Sequence, residues 1–408
     1  MNKMLSWRVG CLSAVLVAVG CGGNSPVSNL NPTSSPVQFG AQAGQIYIPD
    51  TSIALKEDIG LRSHTNHIIF FPEAKSFAGP SGLSPAQLRS AYGVPATGGS
   101  GVIAIVDAYN YATALNDFNV FATQFGLPKE TSTNVTASTN QVFQVVYASG
   151  TKPTNNGGWA QEMALDIEWA HAMAPNAKIV LVEAASNSNA NLIQAENVAK
   201  SLAGVKQVSN SWGGTESASL YTSYDSVFVQ PNVVFFASGG DTGGQRNWPA
   251  LSSNVVAVGG TTLKMSGTTY LGETAWSGTG CGPSAYEARP AFQSVVQGLV
   301  GTHRGSDDIS AIADPNTGVS VYDSTAVRGV SGWLVFGGTS VACPVVAGIA
   351  NNSGVTHTSS QDQNAKFYAS IGSSSYHDVL SGTAGSFSSG TGWDFPTGVG
   401  TPNGLTGF

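Results

Sequence analysis

Four largely apolar runs, at residues 102–106, 179–182, 233–237 and 255–258, and a more polar strand-like run at 205–209 recur between glycine-rich or helical stretches, among them a helical stretch over 112–125. Each is too short for a buried helix. None shows the sustained alternation of a strand with one wet face, so they read as strands covered on both sides, and helices between them make the pairing parallel. The pattern predicts an α/β chain whose mostly parallel central sheet is flanked by helices. With 408 residues, 41% of them hydrophobic, the chain has enough apolar material for one large domain or two ordinary ones. Its fifty glycines mark long ordered loops, where sites on such sheets are built.

The most informative stretch is Gly337-Gly338-Thr339-Ser340-Val341-Ala342-Cys343-Pro344, which follows the apolar run 333–336 and leads into 345–350. It reads as strand, glycine turn and buried helix, with Pro344 tolerated in a first turn whose N–H groups lack partners anyway. Ser340 then sits at a helix N-terminus. Free N–H groups and the helix dipole there favour an oxyanion, the species a serine nucleophile creates when it attacks a carbonyl. A serine that merely caps the helix is the ordinary alternative.

Residues 157–171 form a second stretch, a helix opened by Gly157-Gly158. At about 100° per residue, Glu162, Asp166, Trp169 and Met173 share one stripe beside Met163, Leu165 and Ala170. Glu168 and His171 fall on the other side and read as solvated or structural. Two carboxyls on an apolar face repel unless they share a proton, and a carboxyl of raised pKa beside a second one is a general base for a serine in acid. An amphipathic helix whose acids reach water is the alternative.

Two further acids stand in glycine loops. Asp241, in 235–243, follows a strand at the end where α/β sites gather; protonated, it can donate to a developing oxyanion, and an Asx-turn is its ordinary use. Asp378 and Asp394 flank the loops Tyr376-His377-Asp378-Val379-Leu380 and Gly390-Thr391-Gly392-Trp393-Asp394. Carboxylates and loop carbonyls are hard oxygen ligands of the kind calcium prefers, although turn residues look the same in sequence. The chain has no G-x-S-x-G, H-E-x-x-H, P-loop or C-x-x-C motif.

Residues 1–20 have a basic start and an apolar core too short to span a bilayer, the pattern of an export signal. Cys21 follows Ala18-Val19-Gly20, which resembles a bacterial lipobox, so a lipid anchor at Cys21 and plain secretion are both open. Residues 21–82 read as a Ser/Asn/Pro-rich tether and a short, weakly patterned extension, with the folded body at 83–408. Cys281 and Cys343 read as a bridge or as two buried thiols. Only 10% of residues are charged, and the net charge of −7 becomes −9 without 1–20, which carry Lys3 and Arg8 and no acid. No nucleic-acid partner is expected.

Taken in order, the motifs around Glu162, Asp241, Ser340 and Asp378/Asp394 resemble the sedolisin family, the serine-carboxyl peptidases, over 83–408. The resemblance implies a subtilisin-like three-layer fold and an exported, monomeric endopeptidase that cleaves protein or peptide substrates at acidic pH through an acyl-enzyme. It implies that Ser340 is the nucleophile, Glu162 its general base, Asp166 the acid that orients Glu162, and Asp241 the oxyanion partner of the Ser340 N–H. It implies one Ca²⁺ site, with the Asp378 and Asp394 side chains, the carbonyls of Val379, Gly390 and Gly392, and water. Asp107 and Trp212 fall where the family has supporting residues. Two departures stand out. Only about sixty residues separate Cys21 from the body where many members carry a long propeptide, and Gly337 and Cys343 replace the usual serine and small residue. One alternative is a Ser-His-Asp peptidase with Asp107 as its acid. It lacks a His-Gly, since none of the six histidines precedes glycine. Another is a catalytically silent surface lipoprotein that binds peptides.

Overall fold

The five strand-like runs become strands of an eight-stranded sheet in the computed structural model, which describes residues 44–71 and 79–408. The expected signal and Cys21 lie outside the described residues. In chain order the strands are β1 (Val102–Ala108), β2 (Phe143–Tyr147), β3 (Lys178–Ala184), β4 (Val205–Asn210), β5 (Val234–Ser238), β6 (Val256–Ser266), β7 (Thr269–Ala275) and β8 (Ile309–Ile312). Across the sheet they run β7-β6-β5-β4-β1-β3-β2, with β8 also paired to β6. Every pair is parallel except the β6/β7 hairpin. Every residue of β1 is buried, as the uninterrupted apolar run requires.

Helix Gly157–Met173 departs from its expected amphipathic character, since every residue from Trp159 onward is buried. It packs between the sheet, the helix Thr339–Asn352 and the hairpin Val319–Val327/Val330–Gly337, so no face is left for water. Glu168 and His171 are therefore internal rather than solvated. Glu168 Oε2 accepts from the Tyr322 N–H at 3.0 Å and His171 Nε2 bonds the Pro128 carbonyl at 2.9 Å. Cys281 and Cys343 are both buried free thiols.

Residues 44–71, expected to be weakly patterned, are woven into the body by backbone pairing. Strand Ile68–Phe71 lies antiparallel between Gln45–Tyr47 and Val330–Gly337. Just before it, His64–Thr65 pairs antiparallel with Trp212–Thr215. The short connection 66–67 thus passes between two separate sheets.

Candidate active site

Helix Thr339–Asn352 starts one residue before Ser340. Gly338 precedes it with φ 98°, a left-handed conformation that glycine adopts freely. Pro344 falls beyond the first turn, contrary to expectation, and its missing N–H leaves the Ser340 carbonyl without its usual helical donor. The Ser211 hydroxyl supplies one instead, at 3.5 Å. In return the Ser340 hydroxyl donates to the Ser211 carbonyl at 3.2 Å.

Glu162 faces Ser340 from the neighbouring helix and is completely buried. Burial drives its pKa up to about 8, against hydrogen bonding from Ser340 and the Asn66 N–H, which pull it down. Its Oε1 has no well-formed hydrogen bond among the described residues. Asp166, one turn on, is raised well above the usual carboxylate range, first by burial and then by the charge of Glu162. Asp107, near the end of β1, is raised in the same way by burial and by Asp166 and Glu162. Three buried carboxyls within electrostatic reach of one another cannot all ionise, so the cluster retains protons. Trp212 Nε1 donates to the Val106 carbonyl at 3.0 Å and ties the Ser211 segment to the strand that carries Asp107.

Asp241 closes the other side. Its Oδ1 accepts from the Thr339 N–H at 2.8 Å and the Thr339 hydroxyl at 2.9 Å, while Oδ2 has no hydrogen-bond partner among the described residues. Burial raises it well above the ordinary value, favouring the neutral form, and that form carries a proton to donate.

The Ser340 N–H is not free, as the glycine turn had promised. It donates to the carbonyl of Asn66 at 3.0 Å. A Cβ built on Gly338 would lie 2.2 Å from that same carbonyl oxygen and 2.5 Å from Asp241 Oδ2, so the glycine leaves open the space that both groups face. On the other side of the carbonyl, Glu162 Oε2 accepts from the Asn66 N–H at 3.1 Å and bonds His67 Nδ1 at 2.8 Å. Burial holds the His67 imidazole down to about 3, hence neutral. A peptide therefore already lies across Ser340, Glu162 and Asp241, with strand pairing on both sides of it. Sequence reasoning missed Asn66 and His67. The apolar run Ile68-Ile69-Phe70-Phe71 signals a strand, and nothing in it points to a partner more than 260 residues away.

In the C-terminal loops, Asp378 accepts from the Gly392 N–H at 3.0 Å, and Asp394 from the Gly390 N–H and the Thr397 N–H, each at 2.9 Å. Burial raises Asp394 to about 6, with a contribution from nearby Asp378. The carbonyls of Val379, Gly390 and Gly392 accept none of the main-chain hydrogen bonds of these loops. Two neighbouring carboxyls and three uncommitted carbonyls fit a hard cation. Among the described residues no group of three or more His, Cys, Asp or Glu side chains is placed to hold a metal.

Residues 147–353, about half of the chain, match the profile of the subtilase family. The chain is 29% identical to sedolisin of Pseudomonas sp. (strain 101) over 78% of its own length and 60% of that protein's. It is 30% identical to kumamolisin of Bacillus sp. (strain MN-32) over 82% of its length and 64% of the relative's. It thus spans under two thirds of either. A solved structure of Pseudomonas sedolisin, a serine-carboxyl proteinase complexed with two molecules of pseudo-iodotyrostatin, superposes with a TM-score of 0.64 at 28% identity. The superposition covers 80% of this chain and 96% of that one.

Proposed function

The chain belongs to the subtilase family, in its sedolisin branch, and on that premise we propose that it is an exported serine-carboxyl endopeptidase that hydrolyses protein or peptide substrates in acid. One observation carries the reading: the Ser340 N–H holds a peptide carbonyl that Asp241 Oδ2 also faces, with Glu162 beside it. In this reading Ser340 Oγ attacks that carbonyl and Glu162 takes its proton. Asp166 shares a proton with Glu162, so that the pair carries one negative charge rather than two. Neutral Asp241 and the Ser340 N–H donate to the tetrahedral oxyanion. Acid keeps Asp241 protonated, while the base function needs the Glu162–Asp166 pair to keep its one charge, which the hydrogen bonds from Ser340 and the Asn66 N–H to Glu162 favour.

His67 does not restore a Ser-His-Asp reading. Its ring bonds the base, Glu162, and it belongs to the segment lying in the cleft. A Ca²⁺ held by Asp378, Asp394 and the carbonyls of Val379, Gly390 and Gly392 would support the fold by tying together two loops whose carboxyls feel each other's charge. Export rests on the pattern of residues 1–20, and the lipid anchor at Cys21 on the short motif before it.

The test is Ser340→Ala beside Glu162→Gln, assayed on an unfolded protein substrate in acid. Both should abolish cleavage. Activity retained in Glu162→Gln but lost in Ser340→Ala would refute the carboxyl base, and full activity in Ser340→Ala would refute the serine enzyme.

A further inference from the structure

Asn66 presents a side chain as well as a carbonyl to the site. Its carboxamide is completely buried, and Nδ2 donates to Ser238 Oγ at 2.7 Å. Ser238 is the last residue of β5, itself completely buried, and among the described residues its hydroxyl has one other hydrogen bond, a 3.5 Å bond to the Asn210 carbonyl. Gly213 leaves room for the carboxamide: a Cβ added there would stand 3.7 Å from Asn66 Nδ2 and 3.1 Å from the Trp248 carbonyl, while Asn66 Oδ1 has no hydrogen-bond partner among the described residues. Because the Asn66 carbonyl is the one on the Ser340 N–H, this pocket receives the side chain on the acyl side of the bond to be cut, and His67 supplies the leaving nitrogen.

We infer that the pocket selects a carboxamide side chain before the scissile bond, and that the chain's own Asn66–His67 bond is such a substrate. The inference rests on the peptidase reading above and adds to it a substrate class and a residue, Ser238, that sets it. The buried Ser238 hydroxyl, which meets the amide, loses that partner when an apolar side chain of the same shape, such as leucine, enters instead. The step balances as an ordinary hydrolysis. Ser340 Oγ bonds the Asn66 carbonyl carbon, and the Asn66–His67 C–N bond breaks. The hydroxyl proton passes through Glu162 to the His67 nitrogen. Water then splits the ester, leaving a carboxylate at Asn66 and the free Ser340 hydroxyl.

The experiment incubates the full chain in acid and reads intact mass and N-terminal sequence. It then measures kcat/KM on matched peptides with Asn or Leu before the scissile bond. Wild type should yield a fragment beginning at His67, and Ser340→Ala none. Asn peptides should be cut about tenfold or more faster than Leu peptides, and Ser238→Ala should shrink that ratio. The peptide comparison on wild type does not depend on how well Ser238→Ala folds. Equal rates on Asn and Leu peptides, or self-cleavage only at other bonds, while Ser340→Ala remains inert, would overturn the inference and leave the peptidase reading intact. Wild type as inert as Ser340→Ala on every substrate overturns both.

Discussion

The carbonyl oxygen of Asn66 and the backbone N–H of Ser340 are joined by a 3.0 Å hydrogen bond, although 274 residues separate them in sequence. In the proposed mechanism that bond puts a peptide of this chain in the place of a substrate, and it makes the roles of the surrounding groups open to test one at a time.

Replacing Ser340 by Ala or Glu162 by Gln should each lower kcat on the order of 10⁴-fold or more, and the double variant should lose little beyond either single one, because the two act as a unit. Steady-state kinetics on the three variants checks this. Additive losses would separate Glu162 from the nucleophile.

Asp241→Asn keeps an oxygen for the Thr339 N–H and places an amide N–H where neutral Asp241 holds its proton. Asp241 must stay protonated to donate, so wild-type activity should fall as pH rises through its raised pKa. The Asn variant, unable to lose that proton, should keep reduced activity with a flatter alkaline limb, whereas Asp241→Ala should lose about 10²–10³-fold at every pH. Identical alkaline limbs in wild type and Asp241→Asn would remove Asp241 from the oxyanion site.

Stability should fall as pH rises from about 6.5 to 8. Burial holds Glu162 and Glu196 up at about 8 and Glu183 and Asp323 up at about 7. A carboxyl whose folded pKa lies above its unfolded value stabilises the fold fully below the unfolded value, and that contribution is lost as pH climbs through the folded one. The buried imidazoles His67 and His171, held down to about 3 and 4, act in the opposite sense only below about 6.5, where the unfolded rings gain protons. Thermal melts of Ser340→Ala, which cannot digest itself, give the profile directly. A melting temperature that rises from pH 6.5 to 8 would contradict it.

Millimolar calcium should raise the melting temperature and EDTA should lower it, with the difference abolished in Asp378→Ala. The Asp378 and Asp394 loops are the place to look, since their carboxyls and uncommitted carbonyls form the hard-oxygen set. Melts that ignore both additives would refute the assignment.

The central sheet was legible because strands covered on both faces must be apolar throughout, and β1 is so along nearly its whole length. Ser340, Glu162, Asp166 and Asp241 were legible because each stands in a distinctive local motif, and the fold brings all four to one place. Burial of Glu168 and His171 was not legible. Helical periodicity assumes one wet face, and here a hairpin and a second helix cover it. The role of residues 64–71 was hidden for a different reason. Their partners, Trp212–Thr215 and Val330–Gly337, lie far along the chain, and a pairing made through main-chain groups leaves little trace in side-chain pattern.

Strand Ile68–Phe71 is held on one edge by Val330–Gly337 and on the other by Gln45–Tyr47. A cut between Asn66 and His67 therefore would not free the piece ahead of it, because Gln45–Tyr47 remains paired across the break to the strand behind it. The severed piece then competes with incoming peptides at a high effective concentration until it dissociates. Full activity should accordingly appear after a lag whose length follows the departure of that fragment rather than the speed of bond cleavage, so mild denaturant should shorten it while dilution leaves it unchanged.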